Sequence, residues 1–177
     1  MVKRHSQYVI GYKGLSNDLH QFDFKVGDKF FEDFENSEIQ KGDIDVHVIL
    51  NKKTLILEFE FDLHGKVLLT CDRCLDEFEM DIEYHTVLYA KFGEENREET
   101  DELLILSLQE SDIDLSQYIY EYIHLSLPYK RVHPLDKKGN PICNKEMLKR
   151  LEGLSINEDK SRNDPRWDDL KRIFNNN

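Results

Sequence analysis

Between Asp43 and Leu88 the chain alternates apolar and polar side chains, and that period of two narrows what it can become. Ile44, Val46, Val48 and Leu50 alternate with Asp43, Asp45, His47 and Ile49. After Asn51-Lys52-Lys53, Leu55, Leu57, Phe59, Phe61 and Leu63 alternate with Glu58, Glu60 and Asp62. A third run sets Phe78, Met80, Ile82, Tyr84, Thr86 and Leu88 against Glu77, Glu79, Asp81, Glu83 and His85. Successive side chains of a strand point to opposite faces, so each run predicts a strand with one apolar and one acidic face. The short polar turn between the first two predicts an antiparallel hairpin, with the third strand pairing beside the second. Such a sheet tolerates water on its acidic face, and its apolar face needs a cover.

The flanking sequence suggests that cover. Phe22, Phe24 and Val26 predict a further strand, and Phe30, Phe31 and Phe34 a short helical turn with an aromatic face. Gly65 is expected to mark a bulge or bend, with the strand continuing through Val67 to Thr70. The charged stretch from Gly93 to Glu102 is expected to be a mobile excursion without a core, followed by a short strand at Leu103–Leu106. Leu115, Tyr118, Ile119, Tyr122 and Ile123 fall at helical spacing, with Asp114 as N-cap, Gln117 three residues on and Pro128 as terminator. This helix, Asp114–Leu127, is the expected cover. Beyond it, Asn144 can cap a short helix through Met147, Leu148 and Leu151 that stops at Gly153. A polar linker from Leu154 to Asn163 then leads to Asp164-Pro165-Arg166-Trp167, a strong helix start. The fold class expected is α+β: a twisted antiparallel sheet covered on one face by a helix, with short C-terminal helices. Residues 1–128 form the sheet domain and residues 129–177 a basic extension of the same domain.

Charge is segregated along this plan. Met1 to Pro128 holds 12 Lys+Arg against 28 Asp+Glu, and Tyr129 to Asn177 holds 12 against 8. The body should repel bare phosphate and suit a basic protein, leaving only the tail to touch RNA. No apolar run nears the roughly 18 residues of a membrane span. Tyr8-Val9-Ile10-Gly11-Tyr12-Lys13 is too short and polar for a signal peptide, so a cytoplasmic protein is expected. There is no Gly-rich phosphate loop and no nucleophile elbow, and the seven histidines lack a helical ligand spacing.

Cys71-Asp72-Arg73-Cys74 is the most specific chemical feature. A Cys-x-x-Cys can hold one tetrahedral metal with two thiolates, and the other half must come from elsewhere. His133 and Cys143, in a loop punctuated by Pro134, Gly139 and Pro141, are the candidates. Cys71, Cys74, His133 and Cys143 would make a closed, structural zinc site. Buried free thiols remain an alternative, as does a redox dithiol, which the strand pattern after Cys74 disfavours.

Four features in order resemble one family. Cys71-Asp72-Arg73-Cys74-Leu75 leads into a long alternating strand, Leu127-Pro128 follows an acid-capped helix, a later cysteine sits in a Pro/Gly loop, and Asp-Pro-Arg-Trp precedes a short helix. Together, from about Ile44 to Phe174, they resemble the YceD family, also known as the large ribosomal RNA subunit accumulation family. The resemblance implies a role in accumulation or processing of large-subunit ribosomal RNA, without catalytic activity. Many members carry a second cysteine pair after the Leu-Pro, where this chain has only His133 and Cys143.

The function expected is therefore that of a monomeric, non-enzymatic factor in ribosome biogenesis. Its partner would be a basic large-subunit ribosomal protein or assembly intermediate, with ribosomal RNA reached through the tail. The competing expectation is a metal- or thiol-dependent enzyme built on the cysteines. Trp167, with Arg166, Lys171 and Arg172 around it, is expected to dock on its own sheet or to fold into a groove on a partner.

Overall fold

The computed structural model describes residues 6–100 and 102–154. Its centre is a six-stranded sheet in the order β2-β3-β4-β5-β7-β6, comprising β2 (Leu19–Val26), β3 (Lys41–Lys52), β4 (Ile56–Thr70), β5 (Glu77–Gly93), β6 (Arg97–Thr100) and β7 (Leu103–Ser107). All neighbours are antiparallel except β5 and β7, which run parallel. The α+β class and the β3–β4–β5 meander are thus as the alternation predicts. Ile44, Val46, Val48, Leu50, Leu57, Phe59, Phe61, Leu63, Ile82 and Leu88 are all buried on one face. Burying that face supplies the main driving force, at about 25 cal/mol per Å² of apolar surface removed from water.

The cover is broader than one helix. Helix α2 (Ser116–Leu125) buries Ile119, Tyr122 and Ile123, and Tyr122 meets Phe61 edge-on at 5.1 Å. Beside it lie β1 (Val9–Ile10) and β8 (Ile113–Asp114), a two-stranded antiparallel pair that buries Ile10 and Ile113. Tyr8 and Tyr12 are 1% exposed, yet their hydroxyls donate to the carbonyls of Lys25 and Glu110. A buried phenol needs such a partner. Helix α1 (Asp28–Glu32) completes the cover with Phe30 and Phe31, and Phe34 stacks on Tyr120 at 3.9 Å.

Several local expectations are corrected. Register runs unbroken through Gly65, which faces Ile44 on one side and Ile82 on the other, so it makes no bulge. Glycine is required there by close approach: a Cβ would lie 2.3 Å from the Asp43 carbonyl oxygen and 2.6 Å from the Ile44 Cα. Leu55 stands outside β4 in the hairpin turn and is 78% exposed. The charged excursion is not without structure. Residues 97–100 pair with β7 as an edge strand whose side chains are all exposed, and Asn96 Oδ1 accepts from the Ser107 N–H at 2.6 Å. Helix α2 begins later and ends earlier than expected. Its cap position is Leu115, Asp114 Oδ1 accepts from the Ser116 N–H, and Gln117 bonds Glu121 rather than closing a capping box. Asn144 does cap α3 (Lys145–Leu154), through the N–H groups of Glu146 and Met147, but Gly153 lies inside that helix rather than ending it.

Candidate metal centre

β4 ends at Thr70 and β5 begins at Glu77, so Cys71 and Cys74 sit in the tight connection between two long strands. The Leu75 N–H donates to the Cys71 carbonyl and the Cys71 N–H to the Asp76 carbonyl, each at 2.9 Å. Leu75 adopts a left-handed φ of 63°, unusual for a branched residue and here held by that turn. The knuckle is tied to the extension at Arg131: the Asp72 N–H donates to the Arg131 carbonyl and the Arg131 N–H to Asp72 Oδ2, both at 2.7 Å. Arg131 also reaches Glu38 at 2.5 Å.

From this anchor the chain passes His133, whose ring lies 4.7 Å from that of Phe78, and then reverses. The reversal is built on Asp136. Its Oδ1 accepts from the N–H groups of Lys138 and Asn140, its own N–H donates to the Asn140 carbonyl, and Gly139 supplies the left-handed φ of 82°. These N–H bonds, with that of Asn140 foremost, hold the Asp136 carboxyl below its ordinary range. Leu135 and Pro141 pair across the turn, and the returning strand delivers Cys143 to the same place as His133.

The structure therefore gathers all four residues that the sequence singles out. One donor atom from each of Cys71, Cys74, His133 and Cys143 lies within 4.8 Å of the others. Cys71 Sγ is 3.8 Å from Cys143 Sγ, and His133 Nδ1 is 3.4 Å from Cys74 Sγ and 3.8 Å from Cys143 Sγ. Donors at about 2.3 Å (sulfur) and 2.0–2.1 Å (nitrogen) around a tetrahedral zinc are separated by about 3.5–3.8 Å, close to these three separations, so the donor set suits that ion. All three cysteines are free and buried, so no disulfide competes for them.

The electrostatics suit a cation. Burial alone would push the Cys71 thiol up, but N–H donors from Cys74, Arg73 and His133, with the His133 side chain, outweigh it and bring it down to about 6. Cys143 moves the other way, raised by burial and by the neighbouring Cys71 and Cys74 sulfurs. One thiol ionises readily and the next resists: crowded sulfurs repel once charged, and a divalent ion would relieve that repulsion. These residues could hold a metal in a closed site, with no substrate position open. A second cluster, Glu60, Asp62 and His85, lies on the outer face of the sheet and is partly exposed to water. Arg166, Trp167, Lys171 and Arg172 lie outside the described residues.

A family model described as large ribosomal RNA subunit accumulation protein YceD matches residues 59–174, which take in all four donor residues. No curated protein and no solved structure matches the chain.

Proposed function

The chain belongs to the YceD family, and on that premise we propose that it serves large-subunit ribosomal RNA accumulation as a non-enzymatic binding factor. The acidic outer face of its sheet would hold a basic ribosomal protein or assembly intermediate. One observation carries this reading. The outward residues of β2 to β5 include Asp23, Asp43, Asp45, Glu58, Glu60, Asp62, Glu79, Asp81 and Glu83, a continuous acidic surface. Of its four lysines, Lys25 and Lys66 are each shared between carboxylates, and Lys41 and Lys91 are exposed at strand ends: Lys25 lies 3.0 Å from Asp43 and 2.9 Å from Asp45, and Lys66 lies 3.6 Å from Glu79 and 3.8 Å from Asp81. The remaining negative charge is open to a cationic polypeptide and unfavourable to bare RNA. Contact with ribosomal RNA falls to the basic extension, and the four-donor centre, holding zinc, staples that extension to the sheet.

The enzyme reading draws support from the acidic Cys71 thiol. Cys71 is fully buried and the donor set is closed, so the chemistry has nowhere to receive a substrate. Affinity-tagged protein should recover large-subunit assembly intermediates at low salt and release them as salt rises, because surface charges are screened within about 8–10 Å at physiological ionic strength. Replacing Asp45, Asp62 and Asp81 by Asn should weaken recovery at every salt concentration. Recovery of nothing ribosomal, or indifference to those substitutions, would sink the proposal.

A further inference from the structure

Between α2 and the β6–β7 edge lies a groove of about 370 Å³, on the side of the molecule covered by α2. Leu88 and Leu104 contribute from the sheet, Tyr118 and Tyr122 from the helix, and Glu98 and Glu121 are exposed at its margin. Its size is at the low end of small-ligand clefts, with room for one long side chain. We propose that this groove is an anchor for an arginine side chain of the basic partner, with the guanidinium over the Tyr118 ring and against the Glu98 and Glu121 carboxylates. The proposal rests on the functional reading above for its partner, and adds the place and the residue that partner must supply.

Charge complementarity makes the case. The Tyr118 hydroxyl donates to Glu98 Oε1 at 3.3 Å, and Glu121 accepts from Gln117 at 2.6 Å. Among the described residues, no Lys, Arg or His forms an ion pair with Glu98, Glu102 or Glu121. The tyrosines register the resulting field. Burial, then Glu98 and Glu121, raise the Tyr118 hydroxyl far above the ordinary tyrosine range. Burial, then Tyr118, Glu121, Tyr84 and Glu102, do the same for Tyr122. A half-buried aromatic pocket rimmed by carboxylates that lack an ion-pair partner among the described residues, with the His124 imidazole in its wall, favours a cation whose body is weakly hydrated. Arginine answers this better than lysine: its planar guanidinium stacks on a ring face while its fork of N–H donors meets carboxylates. Leu125, 64% exposed at the same margin, offers apolar surface to the arginine's methylene stem.

The test is a titration of the full chain, carbon-13 labelled in its tyrosine rings, with acetylated and amidated Gly-Arg-Gly or Gly-Lys-Gly. The arginine peptide should shift the Tyr118 and Tyr122 signals saturably and bind several-fold more tightly than the lysine peptide. Glu98→Gln with Glu121→Gln, both at exposed positions, should weaken it about tenfold without altering the thermal midpoint. Tyr118→Leu should erase the preference for arginine, and Tyr118→Phe, which keeps the ring, should retain it. Equal affinity for the two peptides, or shifts confined to residues outside the groove, would overturn the assignment. So would binding that emerges only in Trp167→Ala, since the occupant would then be the chain's own C-terminal segment. If ribosomal recovery fails while the arginine titration succeeds, the functional reading falls and the groove stands; the converse result removes the groove alone.

Discussion

The sheet body and the extension from Tyr129 to Leu154 hold their shapes by different means. The body buries a continuous cluster of aromatic and aliphatic side chains from every strand of the meander and from α2. In the extension, Cys143 is the only buried residue among those described. Its helix α3 buries none, with Met147 and Leu148 partly covered and Leu154 79% exposed. What ties the extension down is mainly polar: the paired Asp72–Arg131 bonds, the Arg131–Glu38 contact and the four-donor centre, with Val132, Met147 and Leu148 only partly buried against the core. A short segment that cannot bury enough apolar surface to offset its chain entropy needs a staple, and a metal site is one of the few available. On the reading proposed above, the body should hold its fold by itself, whereas the extension should depend on a bound ion.

The largest expected effect follows directly. Purified protein should contain about one zinc per chain by elemental analysis, since structural sites of this type bind with apparent free energies on the order of 10–16 kcal/mol. Chelation, or Cys143→Ser, should remove the metal and release residues 129–154 to fast hydrogen exchange. Strands β3 to β5 should stay protected. If the strands lose protection together with the extension, the two regions are one cooperative unit and the comparison breaks. Metal-free protein with a protected extension would show that buried thiols suffice.

This division also explains what was legible beforehand. Alternation at Ile44–Leu50, Leu57–Leu63 and Phe78–Leu88 is a local signal of a half-buried strand, and it placed the meander. The Cys71–Cys74 knuckle is equally local. The partnership of His133 with Cys143 depends on a reversal, and the signal for it was Asp136 followed by Gly139-Asn140, turn chemistry that the loop's prolines overshadowed. Strand β6 was illegible because an edge strand with all its side chains in water carries no apolar period. Tyr8, Ile10 and Tyr12 did carry a period of two, in a stretch too short to separate from a polar N-terminal arm, and they proved to be core. The groove needed tertiary structure, because its walls come from segments that only the parallel pairing of β5 with β7 brings opposite α2.

Next in size are substitutions inside the body, which sharpen the comparison from the other side. Phe61→Ala removes a fully buried ring that meets Tyr122, and should cost about 3–5 kcal/mol. Gly65→Ala places a methyl 2.3 Å from the Asp43 carbonyl oxygen, so the β3 backbone must move, at about 1–3 kcal/mol. Both should lower the denaturant midpoint of the whole molecule and carry zinc release with it, because Cys71 and Cys74 hang from the ends of β4 and β5. The expected dependence is one-way: loss of the body should undo the extension, and loss of the extension should leave the body folded. A Phe61→Ala protein that unfolds early yet retains its metal to the wild-type midpoint would refute that order.

The smallest effect lies on the acidic face, where Asp23, His47, Asp62 and His85 form one cross-strand row. Asp62 Oδ1 lies 2.8 Å from His85 Nδ1, with Glu60 at 3.7 Å from Nε2. The hydrogen bond to Asp62, more than the charge of Asp62 and Glu60, raises the imidazole's affinity for a proton above the ordinary value despite slight desolvation. A folded-state pKa raised above the unfolded one means that the pair's stabilisation is full below about 6.5 and fades as pH rises through the folded value. Both side chains are more than a third exposed, so the gain is small and screened by salt. In proton NMR, His85 should titrate above an unperturbed histidine, and Asp62→Asn should bring it back down. Wild-type stability relative to that variant should be greater at pH 6 than at pH 8. The same protonation makes the acidic face less negative, so a basic partner held there should dissociate faster at pH 6 than at pH 8 at equal ionic strength. An unshifted His85, or a partner held equally at both pH values, would mean that this row plays no part in the grip.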